Sequence, residues 1–133
     1  MSVFVDTSAL LAVLDAGDAR HDDAARTLRS LVDDHEQLLT HNYVVVEAAA
    51  LVRRKLGHPA ARTLLQDIIP TIEIVWIDEG THVTAVSALL ATTRTKISLV
   101  DHVSFDVMRK RGLERAFAFD DDFAGMGFAL VPL

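Results

Sequence analysis

Short apolar segments that alternate with helical ones limit the folds open to this chain more than any other feature of its sequence. The predicted strands are residues 3–5, 38–40, 72–77, 116–119 and 128–131. Strands separated by helices need crossover connections, which produce a parallel sheet. Because the strands are short and nearly all apolar, both faces of the sheet should be covered. We therefore predict a single α/β domain over residues 1–133, with three α/β/α layers.

Helical spacing of apolar residues and capping residues predict the segments between the strands. We expect Thr7 or Ser8 to cap a first helix that ends at Leu14. Further helices are predicted at residues 22–32, 42–56, 59–69, 79–92 and 99–111. Asp78 and Ser98 precede the last two of these helices and are typical N-cap residues.

Composition excludes several classes of protein. Half of the 133 residues are hydrophobic, which is incompatible with intrinsic disorder, and the absence of cysteine excludes disulfides, thiolate zinc sites and a cysteine nucleophile. The first residues lack the basic and apolar regions of a signal peptide, and no segment approaches the ~18 uninterrupted apolar residues of a membrane span. We expect a soluble, cytoplasmic protein without a membrane partner. The net charge of −6 argues against a generic electrostatic nucleic-acid binder.

Two aspartates follow predicted strands directly. Asp6 comes after the first strand and Asp120 after the fourth. Ligands of open parallel sheets bind beyond the carboxyl ends of the strands, at the point where the strand order reverses. The alternative is that each aspartate merely caps the helix that follows it.

Two further acidic residues lie in predicted helices. Glu47 lies in an almost entirely apolar segment, residues 43–52, which is typical of a buried helix. A buried carboxylate must be paired, protonated or bound to a metal, so either a metal ligand or a salt bridge to an arginine would explain Glu47. Asp101 follows Ser98 by three residues, which predicts a capping box. That role is compatible with a carboxylate that also faces the sheet edge.

Four carboxylates at one edge of a sheet would repel each other unless a cation neutralised them. With no cysteine and no paired histidines at ligand spacing, the expected ion is Mg²⁺ or Mn²⁺. Such an ion polarises a phosphoryl oxygen and lowers the pKa of a bound water. This pattern favours a metal-dependent phosphodiesterase. Without these four residues the chain is close to neutral, so its net charge is weaker evidence against a nucleic-acid substrate.

The order of these motifs resembles the PIN-domain ribonucleases, and in particular the VapC-type toxins of toxin–antitoxin pairs. The segments that carry the resemblance are residues 5–10, Glu47, residues 98–101, residues 119–123 and residues 127–128. The resemblance extends from Val3 to Pro132. It implies a parallel sheet with strand order 3-2-1-4-5 and an endoribonuclease that uses Mg²⁺ or Mn²⁺.

The resemblance also assigns roles to individual residues. It implies that Asp6, Glu47, Asp101 and Asp120 are catalytic and bind the metal. Ser8 matches a hydroxyl beside the metal that holds Asp6 or a water, and Thr7 matches a position that is often threonine or serine. Residues 120–122 are three consecutive aspartates; Asp120 is the first choice and Asp122 the second. His102 is interpreted as an ordinary, partly exposed histidine.

The resemblance implies an RNA substrate and a protein antitoxin, with a homodimer or a toxin–antitoxin hetero-oligomer as the assembly. Arg94 and Lys96 precede the third acidic motif and are the candidate RNA-binding residues. The leucines of the first two helices would either line an antitoxin groove or form core. The set comprises Leu10, Leu11, Leu14, Leu28 and Leu31.

Two other functions compete with this interpretation. A catalytically weak or inactive PIN-fold module that binds RNA or protein would be indicated by a missing acidic residue, and none of the four is missing. A haloacid-dehalogenase-like phosphatase needs a second aspartate two residues after the first, where this chain has Ser8. A phosphate-transfer receiver domain would need paired acidic residues at the first strand and a late lysine, and neither is visible.

Overall fold

The computed structural model describes residues 1–132 and contains one five-stranded, all-parallel sheet. Its strands are β1 (Ser2–Val5), β2 (Gln37–His41), β3 (Glu73–Val75), β4 (Arg115–Phe117) and β5 (Ala129–Val131). The strand order is β3-β2-β1-β4-β5, as the resemblance implied. The order reverses between β1 and β4, so the carboxyl ends of these two strands form the expected site of ligand binding.

Seven α-helices connect and follow the strands. They are α1 (Thr7–Leu14), α2 (His21–Asp33), α3 (Asn42–Leu56), α4 (His58–Thr63), α5 (Glu79–Ala91), α6 (Leu99–Arg111) and α7 (Asp122–Gly125). A π-helical turn, Leu64–Ile68, and a 3₁₀ turn, Ile69–Thr71, extend α4 towards β3. Within residues 1–132, none of the helices combines the length and the apolar character needed to cross a bilayer.

The core is centred on β1, the middle strand of the sheet. Val3, Phe4 and Val5 are all buried, since helices cover both faces of this strand. Phe4 pairs in register with Leu39 of β2 and with Ala116 of β4. A fully apolar run is the pattern expected of a central parallel strand.

The two helical layers follow from the handedness of the crossovers. From β1 to β2 and on to β3 the chain moves towards one edge of the sheet, and from β3 to β4 it returns past β1. Because such crossovers are right-handed, the two directions place their helices on opposite faces. Consistent with this rule, α1, α2, α3 and α4 pack together, and α5 packs on α6. Helices α3 and α6 therefore cover opposite faces of the sheet.

Several predicted boundaries and one predicted cap are wrong. Asp6, and not Thr7 or Ser8, caps α1, because its carboxylate accepts the backbone N–H of Ser8. β4 ends at Phe117 because the neighbouring strand β1 ends at Val5, its register partner. Asp120 is therefore separated from β4 by two residues. The helix predicted to reach residue 69 ends as regular α-helix at Thr63, because the chain passes there into the π-helical turn, in which the Ile69 N–H donates to the Leu64 carbonyl oxygen.

Candidate active site

Asp6 lies directly beyond β1 and is held by hydrogen bonds from one residue. The Ser8 hydroxyl donates to Asp6 Oδ2 at 2.6 Å, and the Ser8 backbone N–H donates to the same oxygen at 3.1 Å. The side chain is buried at 4% exposure. Asp6 therefore caps α1 and also presents a fixed carboxylate at the switch point, so the two roles weighed for this residue coexist.

Asp101 lies in the first turn of α6 and forms the predicted capping box. Its backbone N–H donates to Ser98 Oγ at 3.1 Å, and its Oδ2 accepts the backbone N–H of Ser98 at 3.0 Å. One carboxylate oxygen is thus used to begin the helix. The predicted capping box is confirmed, and Asp101 also belongs to the cluster of acidic side chains at the sheet edge.

Three acidic side chains form the centre of that cluster. Carboxylate oxygens of Asp101, Asp120 and Asp122 all lie within 4.8 Å of one another. Asp122 is 3% exposed, and its Oδ2 has no hydrogen-bond partner. Asp120 Oδ1 accepts the backbone N–H of Asp122 at 2.9 Å, so the local turn holds the two carboxylates together.

The donor chemistry of this cluster fits a hard divalent cation. All ligands are carboxylate oxygens, which are the donors that Mg²⁺ and Mn²⁺ prefer. The Oδ2 atom of Asp122 is buried without a hydrogen-bond partner, and leaving a buried acceptor unpaired is costly. A cation between Asp101, Asp120 and Asp122 would compensate that cost.

The pKa values of Asp6, Asp101 and Asp120 are all raised. Burial raises the pKa of Asp6 to about 6, although the hydrogen bonds from Ser8 act in the opposite direction and the charges of Asp101 and Asp120 add to the increase. Burial also raises the pKa of Asp101, with a contribution from the charge of Glu47. Burial raises the pKa of Asp120; the backbone hydrogen bond from Asp122 opposes this increase, and the Asp122 carboxylate adds to it. The charges of neighbouring carboxylates thus add to the effect of burial at all three groups.

Glu47 departs from the prediction made for it. It was expected to be buried in an apolar helix, but its side chain is only half-buried. The neighbouring residue Val46 is 68% exposed, so α3 presents one face to solvent. The apolar sequence of α3 was misleading because its valines and alanines cover both a buried and an exposed face. The charge of Glu47 still makes a small contribution to the raised pKa of Asp101.

The two predicted RNA-binding residues lie at the site. Arg94 Nη2 is 3.8 Å and Lys96 Nζ is 3.9 Å from Asp122 Oδ1. Their side chains are 56% and 73% exposed, so both cations remain accessible to a phosphate. Across the site, Arg20 lies over the ring of Phe119, the residue before Asp120, at 5.1 Å.

The contact of Arg20 and the burial of Asp122 are features that sequence reasoning missed. The contact of Arg20 with Phe119 spans 99 residues of sequence and therefore has no local signature. Asp122 was ranked second to Asp120, yet it is the more buried of the two. A buried side chain at the third position of a run of aspartates depends on how the turn folds, which sequence spacing does not show.

Thr7 and His102 complete the description of the predicted positions. Thr7 is buried, and its hydroxyl has no hydrogen-bond partner. His102 is half-buried and packs edge-on against Phe105 at 6.2 Å. The interpretation of His102 as partly exposed is confirmed.

Comparison with known proteins defines the class to which this fold and site belong. The sequence profile of the PIN domain matches residues 3–129. The chain therefore belongs to the PIN-domain family, which confirms the resemblance found in the sequence.

Among characterised proteins, the chain is similar to the 23S rRNA-specific endonuclease VapC20 of Mycobacterium tuberculosis. In strains CDC 1551 / Oshkosh and ATCC 25618 / H37Rv the identity is 36% over 130 residues, covering 97% of this chain and 97% of the relative. The crystal structure of VapC20, described as a sarcin-ricin loop cleaving toxin, matches with a TM-score of 0.84 and 34% identity over 96% of both chains. FitAcB from Neisseria gonorrhoeae matches with a TM-score of 0.70 at 18% identity, over 98% of this chain and 96% of that chain, and supports the fold alone.

Proposed function

We propose that this protein is a Mg²⁺- or Mn²⁺-dependent endoribonuclease that hydrolyses phosphodiester bonds of RNA. The observation that carries the proposal is the convergence of Asp101, Asp120 and Asp122 within 4.8 Å at the switch point of a PIN fold. Asp6 and Glu47 complete the set of carboxylates that influence each other there. The whole-length similarity to a 23S rRNA-specific endonuclease supports the same reaction class.

In the proposed reaction the acidic residues share the binding of the metal ion. We assign Asp6, Glu47, Asp101 and Asp120 as the metal-binding catalytic residues, with Asp122 as a further ligand. When bound, the ion would polarise a phosphoryl oxygen and lower the pKa of the attacking water. Ser8 orients Asp6 through its 2.6 Å hydrogen bond. Glu47 is half-buried and therefore remains in contact with solvent.

The substrate assignment depends on the charges around the site. An RNA backbone would bring phosphates to an acidic centre, and Arg94 and Lys96 offer the cations that offset this repulsion. Both side chains are held beside Asp122 without being buried, so they can exchange a carboxylate partner for a phosphate. We propose a structured RNA, of the ribosomal kind named for VapC20, as the substrate class.

We propose that the protein acts in the cytoplasm as the toxin of a toxin–antitoxin pair, since the similar VapC20 structure is described as a toxin. A cognate antitoxin protein is the proposed partner, in a hetero-oligomer or beside a toxin homodimer. The five leucines of the first two helices remain candidates for both core and an antitoxin groove. Leu10 and Leu31 are buried, and Leu11, Leu14 and Leu28 pack against the core.

The decisive experiment compares three purified variants on total RNA with Mn²⁺. Asp6→Asn and Asp101→Asn should abolish cleavage while circular dichroism shows an unchanged fold. Asp106→Asn is the matched control, because Asp106 lies on α6 with Asp101 but pairs with Lys110 at 2.9 Å. Full metal-dependent cleavage by both site variants would refute the assignment. Metal binding by the wild type without cleavage of any RNA would instead indicate a non-catalytic binding module.

A further inference from the structure

His41, the last residue of β2, is a fully buried polar side chain that the proposed chemistry does not use. It is 0% exposed, and the ring of Phe4 packs against it at 5.7 Å. Burying an imidazole in such surroundings is costly unless its nitrogens are hydrogen-bonded. Its partners therefore indicate what the residue does.

Both ring nitrogens of His41 have a partner. Nδ1 accepts the backbone N–H of Val44 at 3.4 Å, which makes His41 the N-cap of α3. Nε2 lies 2.8 Å from Ser104 Oγ, and the Ser104 hydroxyl donates to the carbonyl oxygen of Val100 at 2.9 Å. Because Nδ1 faces a donor and the serine proton is already used, Nε2 must carry the imidazole proton. One neutral tautomer satisfies every group in this chain of hydrogen bonds.

The two partners of His41 belong to the helices that carry Glu47 and Asp101. Val44 is in the first turn of α3, one turn before Glu47. Ser104 is on α6, one turn after Asp101. These helices cover opposite faces of the sheet, so side chains can join them only beyond its carboxyl edge. His41 lies at that edge.

We propose that His41 is a positioning residue that sets the separation of Glu47 and Asp101 across the metal site, acting through Val44 and Ser104. The inference rests on the proposed function, because it assigns both carboxylates to one metal centre. Ligand positions in such centres must hold to about half an ångström, which requires supporting hydrogen bonds outside the ligand set. Loss of such support typically weakens metal binding by ~10- to 100-fold.

The hydrogen bond between His41 and Ser104 is the link between the two helices. Two substitutions distinguish this link from the capping of α3 by His41. His41→Asn keeps a side-chain oxygen that can cap α3 but is too short to reach Ser104, and asparagine is a favourable N-cap. Ser104→Ala removes the same link from the other helix and leaves His41 in place. The control is Tyr43→Phe, because the Tyr43 hydroxyl lies 2.6 Å from His82 Nδ1 and ties α3 to α5, a helix that carries none of the site residues.

The measurement is Mn²⁺ affinity by calorimetry on the full-length protein without RNA, with thermal unfolding measured in parallel. His41→Asn and Ser104→Ala should each weaken Mn²⁺ binding by about tenfold. The double variant should be no weaker than the single ones, because both remove one link. Tyr43→Phe should keep the wild-type Mn²⁺ affinity while losing about as much thermal stability as His41→Asn and Ser104→Ala.

The inference is overturned if both link variants bind Mn²⁺ as tightly as the wild type, if Tyr43→Phe loses as much affinity as they do, or if the wild type binds no Mn²⁺. It is also overturned if the loss of Mn²⁺-binding free energy in the double variant equals the sum of the losses in the two single variants. Failure of the proposed function would look different, since a wild type that binds Mn²⁺ but cleaves no RNA would leave the affinity comparison intact.

Discussion

The hydroxyl of Ser8 lies between Asp6 and the segment that leads to Asp120. It donates to Asp6 Oδ2 at 2.6 Å and accepts the backbone N–H of Phe119 at 3.0 Å. A hydroxyl can do both at once because it offers one donor and two acceptor positions. Ser8 thereby ties the end of β1 to the loop after β4, the two sides of the switch point.

We expect Ser8→Ala to weaken both the fold and the site. The loss of a hydrogen bond to a charged group should lower the free energy of unfolding by about 2 kcal/mol. Because Asp6 would then be free to rotate, Mn²⁺ affinity and RNA cleavage should fall by at least ~10-fold. Ser2→Ala is the matched control, since Ser2 Oγ makes an exposed hydrogen bond to Gln37 at 3.2 Å. Equal cleavage by Ser8→Ala and Ser2→Ala would contradict this role.

The raised pKa of Asp6 predicts a pH-dependent difference in stability between the wild type and Asp6→Asn. Burial raises this pKa to about 6, above its value in the unfolded chain. Between pH 4 and 6 the folded wild type therefore holds a proton that the unfolded chain has lost, and its stability falls as pH rises. Measured against Asp6→Asn in EDTA, the wild type should lose up to ~3 kcal/mol over this range.

His41 makes the opposite contribution to stability. Burial lowers its pKa to about 4, so stability is lost as pH falls from about 6.5 towards 4. This contribution is present in both proteins and cancels in the difference between them.

Urea unfolding of the wild type and Asp6→Asn from pH 4.5 to 7.5 gives the comparison. A difference that does not change with pH would show that the Asp6 carboxyl titrates normally in the folded protein.

The three consecutive aspartates provide an internal control for metal binding. Asp122 is buried and Asp120 half-buried in the cluster, whereas Asp121 is exposed. We expect Asp120→Asn and Asp122→Asn each to weaken Mn²⁺ binding by at least ~10-fold, because each removes a charged ligand. Asp121→Asn removes the same charge from the same loop and should keep wild-type affinity within about twofold. Equal losses in all three variants would indicate a general electrostatic effect instead of ligation.

Arg94 and Lys96 should affect RNA affinity more than the catalytic step. If each contacts one phosphate, Arg94→Gln and Lys96→Gln should each reduce the slope of log K against log salt by about 0.7–0.9. KM should rise with little change in kcat, since phosphate contacts position the substrate before and during reaction. Arg54→Gln, exposed at the far end of α3 from Glu47, is the matched control. An unchanged salt slope in both site variants would exclude these contacts.

Local patterns predicted most of the fold. The strand at residues 3–5 and the helix at residues 42–56 were recognisable because burial on both faces and helical spacing each leave a repeating signature. The helix expected to reach residue 69 was wrong because a π-helical turn has no such signature. The strand order came from the family resemblance, since no local pattern states which strands pair.

The candidate site also combines features that local sequence patterns predicted with features that depend on tertiary contacts. The sequence determined that Asp6, Glu47, Asp101 and Asp120 follow one another in motifs typical of a PIN domain, because each motif consists of neighbouring residues. Only the tertiary structure decided that Asp122 is buried within the acidic cluster and that Glu47 is half-buried. Likewise, His41 meets Ser104 across 63 residues. Such contacts depend on how helices and strands pack in space, and burial is a property of that packing.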